Sequence, residues 1–261
     1  MPEGPLIIFD LTGAFAMFRK FYTNSSSLSY PFPPRTTVAG LIAGLLGYER
    51  DTYSEDLSLE RCDIAVSVKV PVRRVMQTVN YVMTEARSSV WARNAGGFDG
   101  SAGGIQTPVE WVFPKLDEPR LRYRIYVHHK EPKFAERLDS VLLEGSYVYP
   151  PYLGMSECLG EVEHLATLEN WELSVREVET TLSTVVPSAA IAGSPRLEAG
   201  TQIIKERTAF ALGADRRMLA IGDVLYERNC NPITATVSSP VFTAVYENDG
   251  QEISEFGVFL G

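Results

Sequence analysis

Between Asp10 and Glu49 the chain carries no acidic residue. The interval FDLTGAFAMFRKFYTNSSSLSYPFPPRTTVAGLIAGLLG, Phe9 to Gly47, constrains the fold more than any other stretch. It opens as an apolar strand, passes through a polar Ser-rich loop and ends in a helix that a double proline must introduce. Pro33 and Pro34 stop any preceding element and preset the chain direction. Thr36 or Thr37 is then placed to cap a helix running through Val38, Leu41, Ile42 and Leu45. Arg19, Lys20 and Arg35 stand without a local counter-charge, a positive field in which an anion could sit. The helix N-terminus and the Ser25, Ser26 and Ser27 hydroxyls suit a phosphate. A loop that merely caps an apolar helix is the other reading of the same residues.

A chain of 261 residues, 45% hydrophobic, can bury a full core and fits one large domain or two small ones. Its longest apolar run, Val38 to Leu46, falls well short of the ~20 residues that cross a bilayer. The N-terminus lacks a basic-then-apolar signal layout, so a cytoplasmic protein without membrane contact is expected. Cys62, Cys158 and Cys230 are isolated and odd in number, which favours buried thiols over a disulfide framework or a zinc site. No cofactor is expected. The formal charge of -9 argues against a free-standing nucleic-acid binder. Its distribution argues the other way for part of the chain: residues 1–130 hold 15 Lys+Arg against 13 Asp+Glu, residues 131–261 hold 9 against 20. A nucleic-acid face is therefore expected from the first half, with the acidic half facing solvent or basic protein partners.

Leu6 to Phe9 reads as a first strand, and Gly13 marks a bulge or a close backbone approach. Tyr22, Tyr30 and Phe32 interleave with Arg19 and Lys20, a pattern that can stack single-stranded bases or simply fill a core. Asp63 to Val82 is strand-like, with Lys69, Arg73, Arg74, Gln77 and Asn80 as polar members; regular pleating sends Arg73 and Arg74 to opposite faces. Thr84 to Gln106 is a long Gly-rich tip between strand patterns, read as a projecting hairpin bearing Arg87, Trp91 and Arg93. A surface loop without order is equally compatible with its composition. LRYRIYVHH resumes as a strand with Arg122 and Arg124 on one face, Lys133 to Leu143 forms a second amphipathic helix, and Gly154 permits close backbone approach. Strand, helix, strands, helix, strand is the ferredoxin-like order of an RNA-recognition-type half. After Glu161 short strand patterns follow one another. The expected fold is thus α+β, a ferredoxin-like domain over residues 1–160 with a thumb inserted at about 83–106, then a β-rich C-terminal subdomain over 161–261.

In order, the first strand, G-x-x-A-x-F-R-K, S-L-S-Y-P, P-P-R-T-T and the G-L-I-A-G-L-L-G helix resemble the N-terminus of the Cas five family, RAMP-type subunits of CRISPR surveillance complexes. Gly13, Ala16, Phe18 to Lys20, Ser27 to Pro31, Pro33 to Thr37 and the helix to Gly47 carry the resemblance. The later T-P-x-E-x-x-F-P-K-L...P-R-x-R-Y-R-I-Y-V order and the L-G-x-S-E-C segment are similar to the same family. The resemblance, closest to the I-B branch, implies a subunit of a type I Cascade. Such a subunit holds the 5′ handle of the crRNA, caps the backbone filament of RAMP subunits, docks the large subunit and meets target DNA only through the complex. On that basis Phe18, Arg19, Lys20, Tyr22, Ser25, Ser26, Arg35, Thr36 and Thr37 are assigned to handle phosphates and bases. Arg73, Gln77, Asn80, Arg87, Trp91 and Arg93 are assigned to the platform and thumb. Lys and Arg would position the backbone, and Gln77 and Asn80 would read bases.

Catalytic constellations are sparse. His128 and His129 diverge on a strand, His164 is isolated, and Ser156 lacks the second glycine of a nucleophile elbow. One branch of the resembling family processes guide RNA with a Tyr near the end of the first helix and a Lys-His pair in the second. Lys133 matches and Tyr48 could be displaced into the tyrosine's role, but Phe134 stands where the His would be, which removes the obvious proton carrier. A non-catalytic subunit is therefore expected. A metal-independent endoribonuclease acting on CRISPR repeat RNA and a β-rich scaffold without RNA contact are the alternatives.

Overall fold

A computed structural model describes residues 2–23, 26–82, 104–175 and 178–261. β1 (Leu6–Gly13) leads through the short strands β2 (Phe18–Arg19) and β3 (Ser29–Tyr30) to α1 (Arg35–Leu45). β4 (Cys62–Val68), β5 (Val72–Val82), β6 (Gly104–Pro114) and β7 (Leu121–His129) precede α2 (Pro132–Glu144) and β8 (Gly160–Leu168). The remainder is mostly strand: β9 (Glu172–Val175), β10 (Glu179–Leu182), β11 (Val186–Pro187), β12 (Ile203–Leu212), β13 (Met218–Glu227), β14 (Ile233–Thr236), β15 (Pro240–Asn248) and β16 (Gln251–Gly257).

The central sheet has the order β4-β7-β1-β8, antiparallel throughout. Side chains alternate across it, and both faces are apolar. Ile7, Phe9 and Leu11 of β1 join Val38 and Ile42 of α1 and Phe134 and Leu138 of α2 in one core. Leu6 and Ile8 join Ala65, Tyr126, Trp171, Phe242 and Ala244 in a second. The unbroken apolar run at the start of β1 is what burial on two sides requires. The sheet β16-β15-β9 therefore closes the face opposite the helices. RNA-recognition domains stack bases on that open face; here C-terminal strands occupy it.

A buried polar network crosses this second interface. Arg124 donates from Nε and Nη2 to the two Asp10 oxygens at 2.9 and 3.0 Å. Tyr126 and Tyr246 each donate to Glu255 Oε2 at 2.6 Å, and Lys69 pairs with the other Glu255 oxygen. Arg122 and Arg124 share a face of β7, as the unbroken β1–β7 register requires, but Arg122 is exposed and Arg124 is sealed between sheets.

Both helix starts are set by proline. Pro34, not a threonine, is the N-cap of α1, and no side chain caps the helix. The Pro34 carbonyl already accepts from the amides of Thr37 and Val38 at 2.9 and 3.0 Å. Thr36 and Thr37 consequently lie inside the first turn, which corrects the expected cap. Pro132 opens α2, and Gly145 ends it in the left-handed region at φ 65°. Gly154, at φ +89°, meets the predicted close approach, because a Cβ there would collide with the Met17 carbonyl. Gly13 is likewise tight against Leu153, whereas the β1–β8 irregularity falls between Ile8 and Phe9.

β5 and β6 form a separate two-stranded antiparallel ribbon, in register from Val72↔Pro114 to Val82↔Gly104. Arg87, Trp91 and Arg93, assigned to the tip, lie outside the described residues, as does Ser25. Cys62 and Cys158 are buried free thiols and Cys230 is a half-buried one. No described helix is long and apolar enough to cross a membrane.

Burial by itself would raise the Glu255 carboxyl pKa, but Lys69 and the two tyrosine hydroxyls bring it below its ordinary value. A depressed carboxylate stabilises the fold above its unfolded pKa of about 4.5, and that contribution fades as pH falls through the lower folded value. Glu255→Gln should therefore weaken urea resistance at pH 7 and flatten its decline below about pH 4.5, as unfolding curves at the two pH values will read.

Candidate nucleic-acid interface

The acid-free segment does not remain uncompensated once folded. Lys20 Nζ lies 2.6 Å from Glu206 Oε2 of β12, and both side chains are buried. The ammonium also stands 5.3 Å from the Tyr30 ring. Glu110 of β6 enters the same region, accepting from the Ser29 amide at 3.0 Å. Arg35 is 1% exposed. Its guanidinium donates to the carbonyls of Phe210 and Ser58, both at 2.9 Å, and to those of Leu57 and Cys62. Phe18 is core, packed edge-on against Tyr123 with centroids 5.6 Å apart. Lys20, Arg35 and Phe18 are thus committed inside the fold rather than presented to a ligand, a correction to their assignment. The reason is tertiary: Glu206 and four carbonyls from distant segments supply what the local sequence lacks.

What remains at the surface is a smaller group. Arg19 is exposed, and Tyr22 is 49% exposed with its hydroxyl 3.4 Å from Glu206. Phe21, which the sequence patterns do not single out, is 38% exposed and packs edge-on against Tyr22 at 5.2 Å. The F-R-K-F-Y pattern contains that signal, but the turn that follows β2 decides which ring faces out. Ser26, Thr36 and Thr37 are half-buried or buried in part by the first turn of α1 and the loop before it, and none of them stands fully in solvent.

The 26–30 segment then docks on the ribbon. The Ser27 amide donates to Pro108 O, and the Glu110 amide donates to Ser27 O, both at 2.9 Å. Arg74, Met76, Thr78, Asn80 and Val82 lie on one face of β5, whereas Arg73 and Gln77, both exposed, lie on the other. Gln77 and Asn80 therefore do not read from one surface. The Arg73 guanidinium sits 5.1 Å over the Phe113 ring with Nε donating to Pro114 O, and Arg74 stands 3.7 Å from Glu110. The arrangement can contact phosphates through Arg19, Arg73 and Arg74 and can stack bases on Phe21 and Tyr22.

Among the residues considered for catalysis, Tyr48 and the His128–His129 pair are closely held, whereas Lys133 and Ser156 are exposed. The Tyr48 hydroxyl donates to Asp56 at 2.8 Å, and burial together with Asp56 pushes its pKa up to about 12. Phe134 stacks on His129 at 3.9 Å. His129 accepts from the Glu131 amide at Nδ1 and donates from Nε2 to Asp56 O. His128 instead donates at both nitrogens, to Asp63 and to Glu3 O, each at 2.9 Å. Burial disfavours its charge, but Asp63 and the Glu3 carbonyl outweigh that and raise its pKa. Among the described residues no cluster of His, Cys, Asp and Glu could hold a metal ion.

Lys20→Met should cost about 3–5 kcal/mol in urea denaturation, because it strands the Glu206 carboxylate in the interior. Arg19→Met, a surface change, should cost less than about 0.5 kcal/mol.

Residues 6–214 match the family described as CRISPR-associated protein (Cas_Cas5). No curated protein sequence matches the chain. Among solved structures, a CRISPR protein from Archaeoglobus fulgidus is similar at 12% identity with a TM-score of 0.52, covering 96% of this chain and 99% of that one. A chain of a CRISPR RNA-guided surveillance complex aligns at 15% identity and TM-score 0.49, over 89% and 92%. A chain of a type III-B Cmr-beta complex bound to cognate target RNA and AMPPnP aligns at 8% identity and TM-score 0.49, over 89% and 86%. The Archaeoglobus likeness agrees with the α+β fold, and the match over most of the chain places the protein in the Cas_Cas5 family of CRISPR-associated proteins.

Proposed function

We propose that the protein is a non-catalytic guide-RNA-binding subunit of a type I Cascade, most like the I-B branch. It holds the 5′ handle of the crRNA, caps the backbone filament, docks the large subunit and reaches target DNA only through the complex. The observation that carries this reading is the exposed Arg19 with the Phe21–Tyr22 pair beside a two-stranded ribbon, on a chain of the Cas_Cas5 family. Support for a ferredoxin-like half comes from the strand order β4-β7-β1-β8 with both helices packed on one face. The ribbon is the stem of the thumb in this reading, which also assigns guide-RNA contact to Arg87, Trp91 and Arg93.

Within the interface Arg19, Arg73 and Arg74 position the sugar-phosphate chain while Phe21 and Tyr22 stack bases. Asn80 and Gln77 reach opposite sides of the ribbon, so they serve different nucleotides. Ser26 precedes Ser27, whose amide docks on Pro108 O of the ribbon. Lys20 and Arg35 act at one remove, holding the loop and α1 in place. Charge reversal at Arg19 and Arg73 together should lower guide retention in the reconstituted complex by about tenfold or more at fixed salt, with an unchanged melting temperature. Wild-type retention by the folded variant would remove the interface assignment.

The non-catalytic reading is supported by Tyr48 and His129 being tied to Asp56, and by Phe134 stacking beside His129. A general base needs a nitrogen or oxygen free to take the proton. Incubation of the purified chain with its repeat RNA in EDTA should leave the RNA intact. A discrete product that Tyr48→Phe or Lys133→Ala removes would instead establish the endoribonuclease reading.

A further inference from the structure

The two edges of the β5–β6 ribbon differ. On β6 the Pro108 carbonyl accepts from the Ser27 amide and the Glu110 amide donates to Ser27 O, both at 2.9 Å, and Val112 exchanges two bonds with Ala16 at 2.8 and 2.9 Å. Pro108, Glu110 and Val112 therefore aim their main-chain groups away from β5. In an antiparallel pair the residues opposite such positions also turn their N–H and C=O outward. The register sets Thr78, Met76 and Arg74 opposite them, and by the same alternation Val72 and Asn80 turn outward as well. The prolines of β6 agree with this parity: Pro108 and Pro114, which have no N–H, both stand where the ladder makes no bond. No backbone hydrogen bond to another described segment occupies the outward groups of β5.

Several other strand edges of the fold are covered. Along β4 the Val185 amide donates to Val66 O at 2.7 Å and the Leu260 amide to Ile64 O at 2.8 Å. On β16 the Phe256 carbonyl accepts from the Ser183 amide at 2.8 Å. On β12 the carbonyls of Arg207 and Phe210 accept from the Tyr30 hydroxyl and from Arg35. β5 has no such cover among the described residues, and it lacks most of the features that blunt an open edge. It runs for eleven residues without proline, glycine or lysine, and its pairing with β6 is one-for-one throughout, with no bulge. Val72, Val75, Thr78 and Val79 give it the β-branched side chains of a sheet interior. A long, regular edge of this kind is a template for a further strand.

The chemistry of the edge selects its occupant. Donors and acceptors alternate along it, which matches a polypeptide main chain. A nucleic-acid strand would bring phosphate oxygens against the edge carbonyls. Val72 to Asn80 extends over roughly 26 Å, room for a strand of ordinary length. Between Asp63 and Glu85 the sequence has no acidic residue, and Arg73 and Arg74 stand at one end of β5. A second copy of this chain would add its own two arginines and no acid to the same ladder, and like charges across a ladder weaken it. We propose that the outer edge of β5 pairs with an extended segment of another protein subunit, flanked by acidic residues, which adds a third strand to the ribbon through main-chain hydrogen bonds to Arg74, Met76 and Thr78. The inference rests on the reading of the chain as a subunit of a larger complex and gives that complex a protein-docking element. It does not depend on the guide-RNA surface, because strand pairing uses the backbone and leaves the Arg73 and Arg74 side chains on the two faces of the ribbon.

The test is residue-resolved amide hydrogen exchange of the full chain, free and in the reconstituted complex, with Thr78→Pro and Thr78→Ala as variants. Proline at Thr78 removes an outward N–H and no β5–β6 bond, so the ribbon is retained, which the melting temperature checks; alanine keeps the N–H and removes only the side chain. Assembly should slow exchange at Arg74, Met76 and Thr78 by about tenfold or more. Thr78→Pro should lower incorporation into the complex by about tenfold, and Thr78→Ala should not. Met76→Pro, at another outward position, repeats the measurement if Thr78→Pro melts early. Free-chain exchange rates at these amides in the assembled complex, or wild-type incorporation of a folded proline variant, overturn the proposal. Protection produced by guide RNA alone, or gained by the free chain as its concentration rises, also overturns it by placing RNA or a second copy on the edge. The two readings fail separately: wild-type guide retention by the Arg19, Arg73 variant with a protected edge removes only the RNA surface, and an unprotected edge in a complex that retains guide through Arg19 and Arg73 removes only the strand pairing.

Discussion

The ion pair between Lys20 and Glu206 joins the two halves of the chain at the point where each most needs the other. The N-terminal segment brings cations without acids, and the C-terminal half brings acids in excess. Removing either charge from water is expensive, and only close pairing offsets that cost. Lys69 with Glu255 and Arg120 with Glu161 repeat the pattern across the fold. Part of the acidity of the second half is thus directed at its own first half, not at solvent or a partner. Arg35 works alongside, tying α1 to the turn at Leu57 and Ser58, to β4 and to β12 through carbonyls alone.

Burial on both faces decides where function can sit. α1 and α2 cover one side of the central sheet and β9, β15 and β16 the other, so no strand face of that sheet is open to a base. Contacts with a polymer must come from what protrudes: the turn after β2, the β5–β6 ribbon and the margins of β12 and β13. The exposed face of β5, with Arg74, Thr78 and Asn80, is a large feature of this kind. The ribbon is anchored through Val109 and Val112, which are buried in the main core, and leaves most of β5 exposed.

Some of this is legible in the sequence, and the rest is hidden for identifiable reasons. The apolar run at Leu6 to Phe9, the amphipathic pattern of Lys133 to Leu143 and the alternation in LRYRIYVHH are local signals, and the corresponding elements form. Gly154 is readable because close approach leaves no other residue type. The helix start at Pro34 is not, because a proline carbonyl can accept the first helical bonds without a side-chain cap. The acid-free interval misleads for a deeper reason. Charge neutrality is a property of the folded neighbourhood, and Glu206 lies 186 positions from Lys20. The same holds for Phe18 and Phe21, three positions apart: one pairs opposite Tyr30 in β2–β3 and is buried, the other follows in the turn and is exposed. No local pattern announces that Phe242 and Ala244 will cover the sheet face an RNA-recognition fold leaves free.

The central claim is that guide RNA runs over the turn after β2 and along the ribbon, while Lys20 and Arg35 serve the fold beneath it. Ultraviolet crosslinking of the reconstituted complex, followed by mass spectrometric mapping of nucleotide-bearing peptides, tests it most directly. The account predicts adducts on Phe21 or Tyr22 and on residues of β5 and β6. Adducts confined to the β9–β15–β16 sheet or to α2, with the turn and ribbon unmodified, would contradict it.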